Sequence, residues 1–130
     1  MPNDTENRCA VSVHYYTPIP FCILDADASW AKAQTVWGSD EDVEQLIYYM
    51  DMLKEHFVDK GIPVIIGEYG ATIKNKEMDT VRLFLSSVAK EAYSRDICPV
   101  LWDTTDILYD RTECKFKDEI LLEQIMAAKG

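Results

Sequence analysis

Glu68 is the residue in this sequence best placed to do chemistry. It follows the unbroken apolar run Ile62-Pro63-Val64-Ile65-Ile66 and is flanked by Gly67 and Gly70. A buried strand ending in a carboxylate delivers that group to the rim of a sheet, where desolvation and neighbours tune its acidity. A charged side chain that only marks where the strand meets water is an equally open reading. His14 and Tyr16 stand two residues apart in the β-rich run Cys9–Tyr16, and the two-residue strand period puts both on one face. Together they can hydrogen-bond a carboxylate, although a strand histidine taken alone is more often a satisfied core residue. Trp102 closes a third apolar run, Ile97 to Leu101, and an indole beside a carboxylate suits the C–H face of a sugar ring. Trp30 and Trp37 offer further aromatic surfaces; Trp37, set before a glycine and a helix cap, is equally suited to core packing. His56, among Lys54, Glu55 and Asp59, and the pair Glu119 and Glu123 read as solvated helix faces.

The elements that must position these residues follow from periodicity. Cys9–Tyr16 reads as a strand ending at Thr17-Pro18, and residues 19–38 show no sustained period, which predicts a loop of a length usually reserved for function. Ser39-Asp40-Glu41-Asp42 supplies a helix cap with an acidic residue three positions on. Val43, Leu46, Ile47, Met50, Leu53 and Phe57 then recur at helical spacing up to Gly61. After the strand Ile62–Ile66 a second helix is predicted from Met78, Val81, Phe84, Leu85, Val88 and Ala92, and a third strand ends at Trp102. A last amphipathic helix begins near Asp118, with Ile120, Leu121, Ile125 and Met126 on its apolar side. The chain is therefore α/β, with three consecutive β/α units and parallel strands, as in a doubly wound sheet or a (β/α)8 barrel. In either, chemistry sits beyond the C-terminal strand ends, at Tyr15-Tyr16-Thr17, Gly67-Glu68-Tyr69-Gly70 and Trp102-Asp103.

At 130 residues, 48% of them hydrophobic, the chain is long enough for one core. Lys and Arg number 13 against 23 Asp and Glu, a net charge of −10 that repels phosphate backbones and anionic lipid, so neither nucleic acid nor membrane is an expected partner. No apolar stretch approaches the roughly 20 residues of a membrane span, and the polar start Met1–Arg8 lacks the apolar centre of a signal peptide. Cys9, Cys22, Cys98 and Cys114 form no CxxC pair and are expected to be free or buried thiols. No metal or nucleotide cofactor is expected, since no phosphate-binding glycine loop follows the first strand and no His/Cys cluster has ligand spacing.

Four segments carry a resemblance: Val11-Ser12-Val13-His14-Tyr15-Tyr16-Thr17-Pro18, Thr35-Val36-Trp37-Gly38-Ser39, Lys60 through Ala71, and Leu101-Trp102-Asp103. From about Cys9 onward the chain resembles the carboxyl-terminal part of a family 5 glycoside hydrolase, in the endoglucanase branch of clostridial and rumen cellulases. The resemblance implies a partial (β/α)8 TIM barrel, strands six to eight, with residues 1–130 as the carboxyl-terminal portion of the catalytic domain. It implies that Glu68 is the catalytic nucleophile of a retaining endo-β-1,4-glucanase, that His14 and Tyr16 position it, and that Trp102 is the aromatic floor under the sugar. It also implies an extracellular or cell-surface parent enzyme.

A retaining glycosidase needs a second carboxylate about 5–5.5 Å from the first. In the family this residue follows an asparagine, and the sequence contains no Asn-Glu dipeptide. Thr104 and Thr105 stand where relatives often carry asparagine. The chain alone is therefore expected to be inactive on β-glucan. Three strands cannot close a barrel, so pairing with a missing amino-terminal portion, or self-association through open sheet edges, is expected. The alternative reading is a noncatalytic α/β carbohydrate-binding or assembly domain, which would need a self-sufficient sheet.

Overall fold

A computed structural model of the chain describes residues 4–6, 8–103 and 107–130. Strand β1, Val11–Tyr15, leads through helix α1, Ile19–Cys22, to helix α2, Asp40–His56. Strand β2, Val64–Tyr69, is followed by helix α3, Met78–Tyr93, and strand β3, Cys98–Leu101. The two-residue strands β4, Tyr109–Asp110, and β5, Lys115–Phe116, pair antiparallel before helix α4, Glu119–Ala128. Strands β1, β2 and β3 form one parallel sheet in that order.

Local chemistry explains the long helices. Ser39 and Asp42 form a reciprocal capping box at the start of α2, and the Asp42 carboxylate also accepts the Gly38 N–H at 3.0 Å. Helix α2 turns Leu46, Met50 and Leu53 inward, α3 turns Val81, Phe84, Leu85, Val88 and Ala92 inward, and both cover a single face of the sheet. That face carries Tyr15, Val64, Ile66 and Tyr69. The aromatic centre of the core is Phe84, whose ring lies 5.3 Å from Phe21, 5.4 Å from Trp37 and 6.5 Å from Tyr15. The other sheet face is open, with Ser12, His14, Ile65, Cys98 and Val100 exposed.

Four expectations change. Residues 19–38 are not wholly irregular, because the one-turn helix α1 seats Phe21 and Cys22 in the core. Strand β2 does not stop at Ile66 but runs on to Tyr69, so Glu68 lies within the strand rather than beyond it. The β4–β5 hairpin precedes α4, where no strand was expected. On α4 only Leu121 is fully buried; Ile125 is partly covered, while Ile120 and Met126 are exposed, so the apolar side of this helix is only partly used. All four thiols are free; Cys22 is buried and pushed up to about 12 by that burial, while Cys9, Cys98 and Cys114 are exposed. Among the described residues no helix is long and apolar enough to cross a membrane.

Because Phe84 joins α3 to the loop aromatics and to β1, truncation leaves a cavity where three elements meet. Phe84→Ala should lower unfolding free energy by about 3–5 kcal/mol, measured as a lower urea midpoint at unchanged slope. A loss below about 1 kcal/mol would show that the core closes around the gap.

Candidate active site

The site is built on an irregularity between β1 and β2. Val13 pairs with Ile66, but the next residue, His14, pairs with Glu68, so β2 holds one extra residue. This β-bulge turns Glu68 to the open face beside His14 and returns Tyr69 to the core. Gly67 suits the close approach there: a Cβ would stand 2.9 Å from the Ser12 hydroxyl oxygen and make that side chain turn aside.

The Tyr16 hydroxyl donates to Glu68 Oε2 at 3.0 Å, and His14 Nδ1 lies 3.3 Å from the same oxygen. Both contacts engage Oε2 and neither engages Oε1. The two-residue spacing thus delivers the pair to one carboxylate as the strand period predicts. Burial first, then the hydrogen bond and negative charge of Glu68, push the Tyr16 phenol up to about 12. Gly70 brings the third strand end close: a Cβ there would meet the Trp102 carbonyl oxygen at 3.1 Å and the Tyr16 ring at 3.9 Å. The Trp102 N–H donates to the Tyr69 carbonyl at 2.8 Å, continuing the ladder past β3. A cavity of about 240 Å³, lined by Tyr16, Cys22, Gly70, Trp102, Ile107 and Leu108 among others, lies between the three strand-end loops.

The three tryptophans separate. Trp102 is half-exposed at the cavity, and Trp30 is exposed in the loop after β1. Trp37 is 2% exposed, edge-on to Phe84, with its N–H and carbonyl both bonded to the Thr80 hydroxyl; it is a core residue and offers no face to a ligand. His56 and the Glu119 and Glu123 pair are exposed on their helices, as expected. Thr104 and Thr105 lie outside the described residues.

Two contacts went unread in the sequence. Asp25 reaches from the loop after β1 to the loop after β2, taking the Lys74 ammonium at 2.8 Å and the Thr72 hydroxyl. Its carboxyl is held below the ordinary range, first by Lys74 and then by Thr72. Asp103 collects three backbone N–H groups from residues 107–109. An aspartate just past a strand end is the only local signal for the second; the first depends on a contact 47 residues away in sequence. Among the described residues, no cluster of three or more His, Cys, Asp or Glu could hold a metal ion.

Three parallel β/α units, with a positioned carboxylate and an aromatic side chain at the strand ends, fit part of an α/β barrel. Residues 1–106 match the family model described as cellulase, glycosyl hydrolase family 5. Endoglucanase B of Clostridium cellulovorans is 38% identical over 103 residues, which is 79% of this chain and 22% of that protein. A broad-specificity endoglucanase from an uncultured bovine rumen ciliate superposes with a TM-score of 0.88 at 28% identity, over 99% of this chain and 42% of that one. A family 5 lichenase from Caldicellulosiruptor sp. F32, in complex with cellotetraose, superposes with a TM-score of 0.83 at 30% identity, over 96% of this chain and 36% of that one. The chain belongs to glycosyl hydrolase family 5, and it spans less than a quarter of the Clostridium relative's length.

The Tyr16 contact has a titration consequence. Ionising the phenol beside Glu68 costs more in the folded chain, so the stability tied to the neutral phenol is complete below pH 10 and is lost as pH rises toward 12. In the ultraviolet phenolate titration, Tyr16→Phe should therefore remove a transition near 12. Loss of a transition at 10 would contradict the Tyr16–Glu68 bond.

Proposed function

We propose that this chain supplies the nucleophile side of a retaining endo-β-1,4-glucanase site, and that it works only with the barrel strands it does not itself carry. The observation that carries this reading is the Glu68 carboxylate held through one oxygen by Tyr16 and His14 on the open sheet face. Oε1, which those contacts leave clear, attacks the anomeric carbon of the glucan while the glycosidic oxygen leaves with a proton from a second carboxylate. The product is a glycosyl ester on Glu68. Water, deprotonated by that second carboxylate, then attacks the same carbon and frees Glu68, so the anomeric configuration is retained. Tyr16 donates to Oε2 and His14 lies beside the same oxygen, so the pair orients it in the free enzyme, and Tyr16 stays a donor because its phenol remains neutral up to high pH.

Trp102 serves as the platform under the sugar, and Trp30 as an outlying aromatic contact. Support for a glucan as the ligand comes from the relatives' names, which are endoglucanases and a lichenase with bound cellotetraose. Support for a partner comes from the sheet: Ile65 and Val100 are exposed on its open face, and β1 and β3 each have one unpaired edge among the described residues. Such edges and apolar faces are stable when covered. Five further β/α units of the same barrel would cover both and bring the acid/base carboxylate. The same open sheet argues against a self-sufficient carbohydrate-binding domain. An extracellular parent enzyme rests on the family resemblance alone.

The test is hydrolysis of a soluble chromogenic β-glucan by the chain alone, and after mixing with a segment bearing the five complementary units of a family 5 barrel. Hydrolysis is expected only in the mixture, and Glu68→Gln should abolish it without lowering the melting temperature, because the shape is kept and the nucleophile removed. Robust hydrolysis by the chain alone would overturn the reading.

A further inference from the structure

The Trp102 indole is 47% exposed, so side-chain packing alone does not set its plane. Its main chain is held on every side. The Trp102 N–H is bonded to the Tyr69 carbonyl at 2.8 Å, and its own carbonyl lies against Gly70 too closely for any larger residue to fit there unchanged. Immediately after it, the Asp103 carboxylate accepts the backbone N–H of Ile107 at 3.1 Å, of Leu108 at 3.2 Å and of Tyr109 at 2.8 Å. The Asp103 carbonyl accepts from Arg111 Nη2 at 2.8 Å.

We propose that Asp103 is a positioning residue that fixes the Trp102 indole as a sugar platform. The proposal rests on the reading of Trp102 given above and names the residue that makes it rigid. A carboxylate bonded to three N–H groups is a strong anchor, because each bond is charge-assisted and the three donors are consecutive. It draws Leu108 into the core, where that side chain is 3% exposed, and sets Ile107 beside it. Ile107, Leu108 and Trp102 line the same cavity, so the residues that Asp103 captures share that lining with Trp102. The Trp102 N–H and the Asp103 carbonyl are both bonded, which limits the backbone on which the indole turns.

Asp103→Asn keeps the shape but replaces one acceptor oxygen by a donor facing N–H groups. In the ¹⁵N spectrum of the full chain, with the Trp102 indole N–H assigned by its loss in Trp102→Phe, the substitution should shift and broaden that resonance. In the mixture with the complementary segment, KM for a cello-oligosaccharide should rise severalfold with little change in kcat, since a platform contact is made in both ground and transition states. If Asp103→Asn does not fold, Arg111→Ala, which removes the donor to the Asp103 carbonyl, should move the same indole resonance by less. An unmoved Trp102 indole alongside altered amides at 107–109 would overturn the proposal and leave Asp103 as a hairpin anchor only. A wild-type mixture without hydrolysis would instead defeat the glucanase reading, and the indole measurement would still decide the role of Asp103.

Discussion

The slipped register between β1 and β2 is the constraint on which the site depends. Val64 and Ile66 face the core, and an uninterrupted strand alternates strictly, so Glu68 would face it too. It would then stand in the apolar core, where an unpaired carboxylate costs several kcal/mol. The extra residue at Gly67 changes the parity once. Glu68 joins His14 on the open face, and Tyr69 recovers the inward position that Glu68 would have taken. The next pairing across the sheet, Tyr69 with Leu101, is inward on both strands while β3 itself alternates without interruption, so the extra residue belongs to β2 against both of its neighbours.

This constraint separates what the sequence could show from what it could not. Helices α2 and α3 were legible because caps and apolar stripes are local: Ser39 sits three residues from Asp42, and Val81, Leu85, Val88 and Ala92 repeat within one helix. His14 and Tyr16 were legible as a pair for the same reason. The end of β2 was not, because a bulge is a property of two strands and Gly67 takes its meaning from Ser12, 55 positions earlier. Helix α1 has four residues, too few to show a period, and exists because Phe21 and Cys22 find room in a core assembled from distant segments. The partial exposure of α4 has a related cause. Its apolar residues follow helical spacing, but spacing says nothing of which neighbour covers them, and α3 covers Leu121 far better than Ile120 or Met126.

Trp37 and Trp102 show how context decides between packing and recognition for one residue type. Trp37 precedes a helix cap, and its own main chain is pinned by Thr80 on α3, with the indole edge-on to Phe84. Trp102 follows a strand whose outward face has no covering helix, and its backbone is pinned instead by Tyr69 and by the loop that Asp103 gathers. The chemistry of the side chain is the same in both places. What differs is whether the pinned backbone aims it into the core or toward the open face.

The acidity of the chain also takes on a structural meaning. A net charge of −10 suggests what the surface repels, but many of the aspartates serve the backbone. Asp4 accepts the N–H of Cys9, Asp27 that of Ala33, Asp42 those of Gly38 and Ser39, Asp110 those of Thr112 and Glu113, and Asp118 that of Leu121, while Asp103 takes three. Loops at strand ends have no ladder to satisfy their N–H groups, and a short carboxylate side chain replaces that ladder. Backbone donors hold the carboxyls of Asp4 and Asp110 below the ordinary carboxylate range; at Asp118 burial opposes the effect, and Leu121 and Arg82 outweigh it. Depressed carboxyls lend their stability above that range and lose it as pH falls through their own lowered values. Turns and helix starts are thus held in part by carboxylates where the sheet is held by burial.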